Sequence, residues 1–94
     1  MAELTQERDV VVTNKAGIHA RPASAIVLAV AASGCSVEIS NLETGTTASA
    51  ESIMKLLTLS GTAGTRLHIK ATGENAGQLL DTLGGLFESG FGED

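Results

Sequence analysis

The pattern of apolar and polar positions divides this chain into seven elements. Asp9-Val10-Val11-Val12-Thr13 is apolar and β-branched and predicts a first strand. Between Ala20 and Ser33 the period lengthens to that of a helix, with apolar Ala23, Ile26, Val27 and Val30 and with Gly34 just past the end. Ser36-Val37-Glu38-Ile39-Ser40 alternates strictly, as a strand with one buried face does. Asn41 to Gly45 supplies a hairpin turn and Thr46 to Ser49 the return strand. Ser52 to Leu59 reads as a short helix capped by its serine. Gly61 and Gly64 bracket the next turn, and Arg66-Leu67-His68-Ile69-Lys70-Ala71 alternates again, with Leu67, Ile69 and Ala71 on one face. Glu74 or Asn75 opens a last helix carrying Leu79, Leu80, Leu83, Leu86 and Phe87. Gly77, Gly84 and Gly85 would weaken its interior by roughly 1 kcal/mol each relative to alanine, and the chain after Glu88 is expected to fray.

The predicted order is βαββαβα. It fits an α+β fold in which a four-stranded antiparallel sheet is covered on one face by three helices. Periodicity leaves the order of the strands open. Ninety-four residues form one small domain, 1–94, and with 43% apolar residues it should be globular. Its core must be aliphatic, because Phe87 and Phe91 are the only aromatic residues.

Charge and cysteine content narrow the function. A net charge of −5 with six basic residues argues against a nucleic-acid partner. Cys35 is the only cysteine, which excludes an internal disulfide, and it reads as a small buried or strand-edge apolar residue. Met1 to Asp9 is polar and acidic, unlike a secretory signal, and the longest apolar run, Ala25 to Ala32, is too short to span a membrane. These features predict a soluble cytoplasmic protein.

The chemistry concentrates in Gly17-Ile18-His19-Ala20-Arg21-Pro22-Ala23. A lone histidine ahead of a helix is usually a solvated cap, but the neighbours of His19 change that reading. The first N–H groups of a helix have no intrahelical partner, and the helix dipole favours negative charge beside them. Gly17 allows close backbone approach, Arg21 adds a permanent cation with a planar fork of donors, and Pro22 loses nothing in a first turn. Such a site suits a histidine that takes up a phosphoryl group and releases it. The phosphate contacts are of a size, about 0.3–1 kcal/mol at an exposed terminus, that does not trap the group. His68 lies opposite in phase to Leu67 and Ile69 and reads as a solvent-facing sheet residue. With no carboxylate or cysteine cluster near either histidine, no metal site and no cofactor are expected.

The heptad resembles the phosphorylation site of the HPr family, the histidine-containing phosphocarriers of the bacterial phosphoenolpyruvate:sugar phosphotransferase system. Ala50-Glu51-Ser52-Ile53-Met54-Lys55-Leu56-Leu57-Thr58-Leu59 is similar to that family's regulatory serine and second helix. The similarity runs from about Arg8 to about Phe87. It implies an open-faced β-sandwich and a carrier that is not an autonomous enzyme. In that family the histidine is phosphorylated on Nδ1 by enzyme I and passes the group to enzyme IIA domains of sugar permeases. The resemblance gives these roles to His19 as acceptor, Arg21 as electrostatic partner, and the N–H groups of Ala20 and Arg21 as phosphate donors. It makes Ser52 the target of an HPr kinase/phosphorylase. Ile53, Met54 and Leu57, with Lys55, become the docking patch of a monomeric carrier.

Departures from the family pattern bear on partners rather than on phosphate chemistry. Ala16 stands where a small polar residue is common and Glu51 where a lysine is common; Leu28 and Ala31 replace first-helix lysines, and Ser60 replaces a glycine. Arg21 and Lys55 are then nearly the only cations at the site, which weakens steering toward acidic partners. Two readings stay open: a carrier in sugar transport, and a regulatory phosphorelay or binding module of the same fold in nitrogen-related or carbon catabolite control. A hydrolase using His19 as general base ranks far below them, because Ser24 has neither a nucleophile elbow nor an orienting acid.

Overall fold

The computed structural model describes residues 4–93. Met1 to Glu3 of the polar leading segment, and Asp94, lie outside the described residues. The strands are β1 (Thr5–Val11), β2 (Ser36–Asn41), β3 (Thr47–Ser49) and β4 (Arg66–Thr72), and the helices α1 (Ala20–Ser33), α2 (Ile53–Leu57) and α3 (Ala76–Glu88). A 3₁₀ turn, Gly90–Gly92, follows α3. The sheet has the order β1-β4-β2-β3, with every neighbouring pair antiparallel. That supplies the strand order that periodicity left open.

One face of the sheet is covered and the other open. Val37 and Ile39 of β2, Ala48 of β3 and Leu67, Ile69 and Ala71 of β4 point into the core. They meet Ala23, Ile26 and Val30 of α1, Leu56 of α2, and Leu79, Leu80, Leu83 and Phe87 of α3. Cys35 is buried there too. α1 has the predicted bounds, ending where Gly34 turns left-handed at φ 73°. Ser52 caps α2, its Oγ accepting from Lys55 N–H at 3.2 Å. No helix among the described residues is long and apolar enough to cross a membrane.

The first strand differs from its prediction. It begins at Thr5 rather than Asp9 and ends at Val11 rather than Thr13, because it pairs with β4 from Thr5↔Thr72 to Val11↔Arg66. Its polar residues have work on both faces. Arg8 crosses to α3, donating to Leu80 O at 2.9 Å and to Asp81 Oδ1 at 2.8 Å. Gly84 accommodates that guanidinium, which lies where a β-carbon would stand. The glycine that weakens α3 locally therefore also lets β1 clamp onto it.

On the open face Glu7 and Asp9 flank His68, which sits opposite Asp9 in the pairing. Asp9 Oδ1 lies 2.6 Å from His68 Nδ1, and Glu7 Oε1 lies 2.7 Å from Nε2. The expectation of a histidine without nearby carboxylates is corrected here. The hydrogen bond to Asp9, then that to Glu7, raises the His68 pKa above its usual 6.5, against a smaller opposing effect of burial.

The fraying expected after Glu88 does not occur among the described residues. Phe91 packs edge-on against Phe87, with ring centroids 4.9 Å apart, and the chain turns back toward the start of α1.

Candidate functional site

A tight loop delivers His19 to the mouth of α1. Gly17 has φ 71°, and a β-carbon there would collide with the carbonyl oxygen of Gly61. Gly61 O instead accepts the Ile18 N–H at 2.8 Å, tying the loop to the turn that precedes β4. Asn14, buried beneath the loop, donates from Nδ2 to Gly17 O at 2.8 Å.

His19 is the N-cap of α1, in extended conformation, and its carbonyl accepts the Ala23 N–H at 3.0 Å. Its ring makes no capping bond and is 42% exposed, so the imidazole is available for chemistry rather than spent on the helix. The N–H groups of Ala20 and Arg21 stand in the first turn, where no intrahelical acceptor exists. Pro22 is buried behind them and supplies no competing donor. Arg21 is exposed and has no hydrogen-bond or ion-pair partner among the described residues.

Two residues that the sequence did not single out complete the site. Glu93 Oε2 lies 2.8 Å from His19 Nε2, and Glu93 Oε1 accepts from Asn14 Nδ2 at 2.9 Å. A carboxylate only accepts, so the ring nitrogen must be the donor and Nε2 carries the proton. Nδ1 is left without a partner among the described residues. The expectation of no carboxylate near His19 is thereby corrected as well. The one signal in the chain was the pair Gly90 and Gly92 around Phe91, which can mark a turn as readily as a frayed end. Among the described residues, no group of three or more His, Cys, Asp and Glu is placed to hold a metal ion.

The second predicted surface is also laid out. Ile53, Met54 and Leu57 are 37%, 76% and 42% exposed, while Leu56 and Leu59 are buried. Lys55 is exposed among them, and Ser52 lies at the head of the same helix. α2 packs on α1, so this patch and the His19 loop belong to one helical layer.

Comparison with known proteins agrees with this architecture. The family model described as "PTS HPr component phosphorylation site" matches residues 6–89. The multiphosphoryl transfer protein of Haemophilus influenzae is 43% identical over 84 residues, which are 88% of this chain and 17% of that protein. This chain therefore spans about a sixth of that relative. Phosphocarrier protein NPr of Proteus mirabilis is 37% identical over 91 residues, 97% of this chain and 100% of NPr. The crystal structure of HPr-C-His from Thermoanaerobacter tengcongensis superposes with a TM-score of 0.86 at 28% identity, covering 95% of this chain and 98% of that one.

A four-stranded open-faced sandwich with a histidine at the mouth of its first helix defines a class of phosphocarrier. The chain belongs to the HPr family of phosphotransferase-system proteins, whose members carry a phosphoryl group rather than turn over a substrate.

Proposed function

We propose that this protein accepts a phosphoryl group on His19 from phosphorylated enzyme I and hands it to an enzyme IIA-type acceptor. The observation that carries the reading is the position of His19 as the N-cap of α1, with its ring half-exposed and free of capping duty. Nδ1 is the nucleophile, since Nε2 is engaged by Glu93. The transferred group would meet the Ala20 and Arg21 N–H groups and the positive end of the helix dipole. The Arg21 guanidinium would neutralise further charge. The partner would supply the rest of each active site, and the carrier would act as a soluble cytoplasmic monomer without a cofactor. Ile53, Met54, Lys55 and Leu57 form the docking patch, and phosphorylation of Ser52 by an HPr kinase/phosphorylase would place charge beside it.

A second reading concerns the acceptor. The match to NPr along its whole length favours a nitrogen-related regulatory branch over sugar transport. Transfer from the phosphorylated protein to sugar-permease IIA domains separates the two, because a regulator would transfer poorly to all of them. For the carrier chemistry itself, His19→Ala should abolish phosphoryl uptake and leave the fold intact. Uptake retained in that variant would overturn the proposal.

A further inference from the structure

The segment after α3 brings a carboxylate to the ring of His19 and holds it there. Gly90, Phe91 and Gly92 all have left-handed backbone, with φ of 62°, 57° and 72°. For Phe91 this conformation is strained, and the packing of its ring against Phe87 keeps it in place. Thr13 fastens the same corner, its Oγ1 donating to Phe87 O at 2.6 Å. Glu93 arrives beside the loop with its side chain only 13% exposed. Its two oxygens are then divided: Oε1 accepts from Asn14 Nδ2 at 2.9 Å and Oε2 from His19 Nε2 at 2.8 Å.

We propose that Glu93 is a positioning residue for phosphoryl transfer at His19, holding the ring in its Nε2–H form and balancing the positive charge the ring acquires. The proposal rests on the reading of His19 as the phosphoryl acceptor. An imidazole has one lone pair to offer, and the proton on the other nitrogen decides which. With Nε2–H donated to Glu93, the lone pair is on Nδ1. Attack by Nδ1 forms the Nδ1–P bond, and the bond from phosphorus to the partner's donor atom breaks with its electron pair remaining on the partner. The ring then carries phosphorus on Nδ1 and the retained proton on Nε2, so it is cationic. Glu93 faces that cation from the Nε2 side, while the first-turn N–H groups serve the phosphoryl oxygens. The same logic orients a catalytic histidine in hydrolases, where a buried carboxylate fixes the tautomer and stabilises the imidazolium. Here Asn14 holds the carboxylate in turn, so three side chains are aligned in series.

The test uses Glu93→Gln and Glu93→Ala in the full chain, with enzyme I and phosphoenolpyruvate. Both variants should keep the wild-type KM for enzyme I and lose kcat by about tenfold to a hundredfold, the range expected for removing a hydrogen bond to a charged group. Glu93→Gln should be the milder, since its amide oxygen can still accept from Nε2–H. Ring ¹⁵N NMR of the unphosphorylated protein supplies a readout that a purely structural role would not move. Wild type should show one Nε2–H form, and Glu93→Ala a mixture of both tautomers. Unchanged kcat in both variants, or a tautomer mixture in the wild type, would overturn the role of Glu93 while His19 still takes up phosphate. A wild-type protein that takes no phosphate on His19 would overturn the underlying function as well.

Discussion

Gly17 lies so close to Gly61 that the carbonyl oxygen of Gly61 occupies the place of a Gly17 β-carbon. The contact fixes how the loop enters α1 and hence where His19 stands. Gly17→Ala must therefore accept both a left-handed backbone and a collision with backbone, and should cost about 1–3 kcal/mol. Gly45 is the control: its φ is 81°, but nothing lies within 4 Å of an added β-carbon. Urea unfolding should show Gly17→Ala as the more destabilised of the two, with slower uptake at His19 as well. Equal destabilisation would mean that the loop gives way without consequence.

The α2 patch separates docking from folding. Met54 is 76% exposed and Leu56, two residues on and on the opposite side of the helix, is buried. Met54→Glu should leave stability within about 0.5 kcal/mol of wild type and raise the KM for enzyme I without lowering kcat. Leu56→Ala should cost about 2–5 kcal/mol. An unchanged KM for Met54→Glu in steady-state phosphorylation would remove Met54 from the docking surface.

Ser52 Oγ accepts the Lys55 N–H at 3.2 Å, a contact that an aspartate can also make. Ser52→Asp should thus preserve the unfolding midpoint while setting a negative charge beside Ile53 and Met54. The expected outcome is a raised KM for enzyme I with wild-type chemistry at His19. Identical kinetics in the two proteins would contradict a regulatory role exercised through charge.

His68 gives the fold a pH dependence of predictable sign. Its pKa is raised in the folded protein, first by Asp9 and then by Glu7. The stability this contributes is fully present below the unfolded value of 6.5 and is lost as pH rises through the folded value. The cluster is partly exposed, so the effect is on the order of 0.2–1 kcal/mol. Urea midpoints of wild type and His68→Gln should differ more at about pH 5.5 than at about pH 8.5. A gap independent of pH would show that the carboxylates do not bind the imidazolium.

The order of elements and the place of His19 were legible because their signals are local. Pro22 and Gly34 punctuate α1, and strict alternation marks β2 and β4. β1 was misplaced because Thr5 to Arg8 are polar residues that become a strand only by pairing with β4. The same pairing brings Asp9 opposite His68, a relation that no spacing in the chain expresses. Glu93 was hidden for another reason. Gly90 and Gly92 are compatible with a loose tail and with a left-handed turn, and only the contact between Phe87 and Phe91 decides between them. Roles for Arg21, Ser52 and the patch came from resemblance, and the structure adds their exposure and their neighbours.

The central claim is that His19 carries the phosphoryl group, and one measurement addresses it directly. The protein is incubated with phosphoenolpyruvate and enzyme I, then examined by intact mass and phosphohistidine mapping. One acid-labile phosphate on Nδ1 of His19, absent from His19→Ala, is the predicted result. No uptake, with the same enzyme I active on another carrier, or a phosphate on any other residue, would contradict it.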